Sequence, residues 1–279
     1  MQNRKSAEIT ITYTADGKPI GSLFNSLWHF RDFILILCWR DIKVRYKQTI
    51  LGMAWVVIVP FVSMIIFSLI FGGLAKMPSD GMPYPIFVFS GLLIWQLFNK
   101  AFTDISQCLT NNLALIKKVY FPKIALPVAS ALPGLVDFAC GFLVLLVLMV
   151  YYDFGPSIEI LLIPIIAIFA LLSALSVGLW LAALNATYRD VRYLLPFVSQ
   201  LWFYMTPVVY PISVVPEPWN GLLYLNPMTL VIVATRWSVL GADTPPISGI
   251  LISLSIVSIL TAGGIIFFRN FEKNYADRL

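Results

Sequence analysis

Few residues in this chain could do covalent chemistry. There is one histidine, His29, and a lone histidine without a nearby acid or nucleophile reads as a structural side chain. Cys38, Cys108 and Cys140 have no metal-ligand spacing and are odd in number, so they read as ordinary apolar residues. No Ser/His/Asp or Cys/His set can be assembled. The sequence contains no G-x-x-x-x-G-K-[ST] phosphate loop, so ATP has no binding route of that kind here. No catalytic residue and no metal ligand is expected. Asp137 is the one acidic residue deep inside a long apolar stretch. A carboxylate in that setting is costly and is by default a functional candidate. It could carry protons, or it could hydrogen-bond a neighbouring helix or sit in a wet cavity; a structural role is preferred, because no His or Lys lies beside it in the apolar stretch.

The remaining candidates are aromatic. Trp202, Phe203, Tyr204 and Tyr210 cluster around Thr206-Pro207. Aromatic faces stack on the C–H faces of sugars while hydroxyls bond the rim. Such side chains suit a pathway for a long carbohydrate that must slide past many weak contacts. The same residues would also serve ordinary packing or an interfacial belt.

These residues have to be positioned in lipid. Of 279 residues, 59% are hydrophobic and 12% charged, half the charge of a soluble domain at about 25%. Such a chain cannot cover itself with polar surface. The sequence predicts an all-α polytopic membrane protein with six spans, about 53–73, 83–99, 126–151, 160–184, 193–210 and 247–268. Residues 1–22 read as a polar cytoplasmic tail without the apolar core of a signal peptide. Residues 23–48 read as an amphipathic interfacial helix, too short in its apolar run to cross. Residues 49–279 form the transmembrane domain. Between the fifth and sixth spans six prolines interrupt short apolar runs, which suggests two short helices re-entering from the extracytoplasmic side. Ala170, Ala174, Gly178 and Ala182 make a ridge of small residues suited to close helix packing.

Charge sets the orientation. With the N-terminus inside, the inside segments hold all but two of the 19 Lys and Arg residues, and only Lys76 and Arg236 fall outside. Both termini are therefore expected in the cytoplasm. The net charge of +5 belongs to that face and points to anionic lipid or a cytosolic partner, with nucleic acid excluded as the reason for it.

The string Arg40-Asp41-Ile42-Lys43-Val44-Arg45-Tyr46-Lys47-Gln48-Thr49-Ile50-Leu51-Gly52-Met53-Ala54-Trp55, followed by Pro60, resembles the start of the first span in membrane subunits of ABC-2 type polysaccharide exporters, the O-antigen, capsule and teichoic-acid permeases. Weaker matches follow in order: Lys117-Lys118-Val119-Tyr120-Phe121-Pro122-Lys123, Tyr188-Arg189-Asp190-Val191-Arg192 and Leu225-Asn226-Pro227-Met228. The resemblance implies a bacterial inner-membrane permease that works as a homodimer with two separate cytosolic ATPase subunits. ATP and Mg would sit on those subunits, with no cofactor on this chain. The substrate would be a lipid-linked polysaccharide, O-antigen first; teichoic acid, capsule or a lipid or drug are alternatives, and a proton-coupled transporter using Asp137 is another. A membrane-embedded transferase is disfavoured by the lack of candidate bases. A coupling helix would fall within about 111–119. Asn112 would stand at its start, Leu115 and Ile116 would offer apolar contact, and Lys117 and Lys118 would suit its C-terminal end. Arg189 and Asp190 would lie on the same face. Arg40, Lys43, Arg45 and Lys47 would hold anionic lipid or meet the pyrophosphate of the substrate.

Overall fold

The computed structural model describes residues 27–47, 54–155, 157–188 and 190–276. The polar tail and residues 48–53 lie outside the described residues. All regular structure among the described residues is helical. Helix α1 is Arg31–Lys47 and α2 is Ala54–Phe67, continued by a π-helical turn Ser68–Leu74. Helix α3 is Tyr84–Ser106, followed by the short α4 (Cys108–Asn111) and α5 (Leu113–Lys118). Next come α6 (Ala125–Ala131) and α7 (Gly134–Tyr151), and then α8 (Ile163–Thr187), led in by a 3-10 turn Ile158–Leu162. Helix α9 is Val191–Met205, α10 is Glu217–Leu223, α11 is Pro227–Leu240 and α12 is Ile247–Ala276.

Among the described residues, five segments are long and apolar enough to cross a bilayer: Ala54–Leu74, Tyr84–Ser106, Ala125–Tyr151, Ile158–Thr187 and Ile247–Lys273. The second runs past the expected end at residue 99. Lys100 and Asp104 pair across one helical turn at 3.2 Å, so charge does not end the helix there. The expected fifth span is different. Helix α9 has 15 residues, about 22 Å at about 1.5 Å per residue, short of a hydrocarbon core of about 30 Å.

Helix α3 is the hub, and Phe87, Phe98, Phe102 and Ile105 on it are almost fully buried. It packs most extensively on α8. Ala170, Ala174 and Ala182 are fully buried there, and a Cβ at Gly178 would sit 2.6 Å from Ile105. The small ridge is therefore a packing surface.

Hydrogen bonds fix which helix ends lie together. The Asn185 side chain donates to the Ser106 carbonyl at 2.9 Å, and the backbone N–H of Lys123 donates to Glu272 at 3.1 Å. The ends of α3, α8 and α12 thus share one end of the molecule with α4, α5 and α6. At the opposite end the Tyr84 hydroxyl donates to the Val209 carbonyl at 2.6 Å, and Ser213 donates to Asp80 at 2.7 Å. Between the two, Ser199 donates to Asn99, and Trp202 packs on Phe98 and Phe102 at 4.8 and 5.6 Å between ring centres. The chain from Ser199 to Val209 therefore runs antiparallel along α3, from about Asn99 and Phe102 back to Tyr84.

Candidate functional site

Three regions can be built from these elements. The first is the cluster where α1 meets the bundle. Arg45 reaches from α1 to Asp137 in the first turn of α7 at 2.8 Å and to Asp104 on α3 at 3.2 Å. The Tyr46 hydroxyl donates to the other oxygen of Asp137. Burial, and then that hydrogen bond, push the Tyr46 phenol up to about 12. Asp137 is thus a paired carboxylate, and its partner cation comes from another helix, where no reading of its own span would find it. Arg40 also turns inward, donating to Asn112 at 2.8 Å while pairing with Asp41 at 2.7 Å. Of the four basic residues expected to meet lipid or pyrophosphate, Arg40, Lys43 and Lys47 are exposed and Arg45 is half-buried, Lys43 lying over the Trp39 ring at 5.3 Å.

The helix that carries them is present where expected, but its exposed side is mixed. Leu35, Ile36, Trp39 and Val44 are exposed beside Asp32, Arg40, Lys43 and Lys47, while Ile34 and Leu37 are its buried anchors. Charged and apolar side chains together on one face suit a boundary between headgroups and hydrocarbon.

The second region is the expected coupling segment. A helix does form, at Leu113–Lys118, with Lys117 and Lys118 exposed in its last turn. Asn112 precedes it but makes no side-chain cap. Its side chain instead accepts from Arg40 and donates to the Cys108 carbonyl at 2.9 Å. Leu115 and Ile116 are half-buried against the apolar cluster of α4, α6 and α8, so the outward surface is formed by Leu113, Lys117, Lys118 and Val119. Asp190 is exposed at the start of α9, and Arg189 lies outside the described residues.

The third region surrounds the bend after α9. Trp202 and Phe203 are half-buried in an aromatic stack with Phe67, Trp95, Phe98 and Phe102, and the Trp202 indole donates to Asn226 at 2.8 Å. Tyr204 is exposed and Tyr210 half-buried. Asn226 also donates to Thr206 and accepts the Met228 N–H, capping α11. Arg236 is 4% exposed. It donates to the carbonyls of Val208 at 2.6 Å and Tyr210 at 3.4 Å, and its guanidinium lies 3.6 Å from the centre of the Phe87 ring. It fits because residue 91 is glycine: a Cβ there would meet the Val208 carbonyl at 2.9 Å.

Arg236 looked like one of two extracytoplasmic basic residues in the sequence, and nothing local marked it as buried. A second omission was legible. Gln96, Asn99, Lys100, Thr103 and Asp104 recur at helical spacing along α3, and all five line one cavity.

Comparison with known proteins adds identity to this geometry. The family model described as ABC-2 type transporter matches residues 33–240. The chain is 28% identical over 263 residues to an O-antigen export system permease protein RfbA of Myxococcus xanthus, covering 92% of this chain and 99% of that protein. It is 28% identical over 255 residues to the protein of the same name from Klebsiella pneumoniae, with 91% and 97% covered. Similarity to the polysialic acid transport protein KpsM of Escherichia coli is weaker, 21% over 204 residues, with 72% and 78% covered.

Proposed function

Because this chain belongs to the ABC-2 type transporter family, we propose that it is the membrane subunit of an ATP-driven exporter that moves a lipid-linked polysaccharide, O-antigen first, outward across the bacterial inner membrane. The observation that carries this reading is the near end-to-end similarity to O-antigen export permeases. The shorter similarity to a polysialic acid transporter favours a capsule-type polymer as the second reading.

The fold supports a sixth crossing. From Ser199 through the Thr206–Tyr210 bend the chain follows α3 back to its start at Tyr84, so helix plus bend reach further than α9 alone. Ser213 lies at the outer end beside Asp80, Asn226 lies deeper beside Trp202, and α11 climbs back toward Gly241. That path is a re-entrant excursion with its backbone shielded by protein. Both termini then fall on the cytoplasmic side, in agreement with the distribution of Lys and Arg.

The polymer passes between two copies of the chain. Helices α2 and α9 are the least covered elements of the bundle core, with Ile58, Val62, Phe197, Leu201 and Tyr204 exposed, and they supply the face for the second copy. ATP and Mg act on two separate ATPase subunits. Their closure pushes on α5 through Leu113, Lys117 and Lys118. The push reaches α1 through the Asn112–Arg40 hydrogen bond and α8 through the Asn185 contact with α3. Lys43 and Lys47 remain free to meet anionic headgroups or a pyrophosphate. The ion pair of Asp137 with Arg45 argues for a structural role and against a proton-coupled transporter.

The test is to co-produce the chain with the candidate ATPase subunit of the same organism. A stable complex is expected, together with loss of export when residues 113–118 are exchanged for a Gly/Ser segment. Absence of a complex, with export indifferent to that exchange, would reject the reading.

A further inference from the structure

The polar stripe on α3 faces a cavity of about 360 Å3 between α2, α3 and α7. Its hydrogen bonding is unevenly satisfied. Thr103 donates to the Asn99 carbonyl at 2.9 Å, Asn99 accepts from Ser199, and Lys100 pairs with Asp104. The carboxamide of Gln96 lines the cavity and makes no hydrogen bond among the described residues. It lies about 15 Å along α3 from the helix end. An amide at such depth needs a partner from water or from a ligand, since leaving it bare in an apolar setting is costly.

We propose that this cavity is a saccharide subsite within a single copy of the chain, read by the amides of Gln96 and Asn99 and walled by the indole of Trp55. The inference rests on the polysaccharide reading above and deepens it by naming which part of the substrate the cavity takes.

Charge decides between sugar and phosphate. The cations at the rim are Arg45 and Lys100, and the anions are Asp104 and Asp137, paired at 2.8 to 3.2 Å. The rim is formally neutral and has no unpaired cation for a phosphate. A carboxamide offers two donors and an acceptor, which suits adjacent hydroxyls that both give and take hydrogen bonds. Trp55 is 51% exposed on the α2 wall, where its ring can cover the C–H face of a sugar. The volume lies at the small end of ligand pockets, about 300–1,000 Å3. It admits part of a glycan chain and excludes a coil. The neighbouring apolar wall of Val59, Leu93 and Phe138 leaves the polar groups on one side only.

The experiment is site-specific photo-crosslinking in cells that depend on this chain for surface polysaccharide. p-Benzoylphenylalanine is introduced at Trp55, on the cavity wall, and separately at Leu143, which is 64% exposed on α7 and does not line the cavity. Illumination is expected to yield a polymer-bearing adduct from position 55 and none from position 143. In parallel, Gln96→Leu is expected to lower surface polymer about fivefold, the loss of one neutral hydrogen bond, with the amount of assembled complex unchanged. Exporting cells that give no adduct at position 55, equal adducts at both positions, or wild-type export from Gln96→Leu would each overturn the subsite. Failure of the unsubstituted chain to restore surface polymer would instead reject the polysaccharide reading, and the subsite with it.

Discussion

Replacing Arg45 with methionine removes the cation that ties α1 to the bundle and leaves Asp137 and Asp104 facing its empty place. The side chains of Arg45, Asp137 and Asp104 are 25%, 21% and 32% exposed, so the cluster is neither a surface pair nor a buried one. Exposed pairs contribute about 0–1 kcal/mol, and breaking a buried pair costs about 3–5 kcal/mol. An intermediate value of about 2 kcal/mol follows, discounted for screening. Other anchors of α1 remain: Ile34 and Leu37, 6% and 4% exposed, each contributing about 1.5–3 kcal/mol, and the hydrogen bonds of Arg40 to Asn112 and of Tyr46 to Asp137. The helix should therefore stay docked in the variant but open more often. At about 1.4 kcal/mol per tenfold, the opening equilibrium rises about 30-fold. Hydrogen exchange of the chain in lipid nanodiscs reads this directly: α1 amides should exchange about 30-fold faster while α8 amides do not change. Adding Asp137→Asn to the Arg45 variant should recover part of the protection, because an unpaired carboxylate has been neutralised. Equal exchange of α1 in the parent and the Arg45→Met variant would refute the reasoning and leave α1 held by its apolar contacts alone.

Gly178→Val should lower the melting temperature through about 1–3 kcal/mol of overpacking against Ile105; scanning calorimetry checks it, and an unchanged transition would mean that α3 and α8 do not approach this closely. Arg236→Met should leave the carbonyls of Val208 and Tyr210 without their donor, at about 1–3 kcal/mol for each buried group left unpaired, and should speed limited proteolysis near residues 206–215. Trp202→Phe should cost about 1 kcal/mol by removing the hydrogen bond to Asn226, measured as a shift in thermal unfolding with the aromatic stack retained. Lys117→Glu with Lys118→Glu should reduce ATPase co-purification while the isolated permease melts as before, since both side chains are exposed.

Much of the fold was legible because lipid imposes a simple rule on long apolar runs. Residues 53–73, 126–151, 160–184 and 247–268 correspond to helices within a few residues, apart from the C-terminal extension of the last. The rule misjudged the end of α3 because Lys100 and Asp104 neutralise each other on one face, and hydropathy treats each as a stop. It also overextended the fifth span, since Thr206-Pro207 ends α9 and a bend held by Tyr84 and Arg236 follows. Long-range pairing was not legible. Nothing near Asp137 foretells Arg45, 92 positions away, and nothing near Arg236 announces the carbonyls that bury it. A short helix does stand at Leu113–Lys118, within the expected segment, yet Asn112 bonds Arg40 where a helix cap was expected, because a cap is inferred from neighbours in sequence. The polar stripe from Gln96 to Asp104 was visible at helical spacing, and treating the segment as a uniform span concealed it.

The most direct measurement is the location of the polymer in cells from which this chain is removed while the glycosyltransferases and the ATPase are kept. The account predicts lipid-linked polysaccharide accumulating on the cytoplasmic side of the inner membrane and none at the surface, with export restored by the wild-type chain alone. Surface polysaccharide undiminished in the deletion would contradict it.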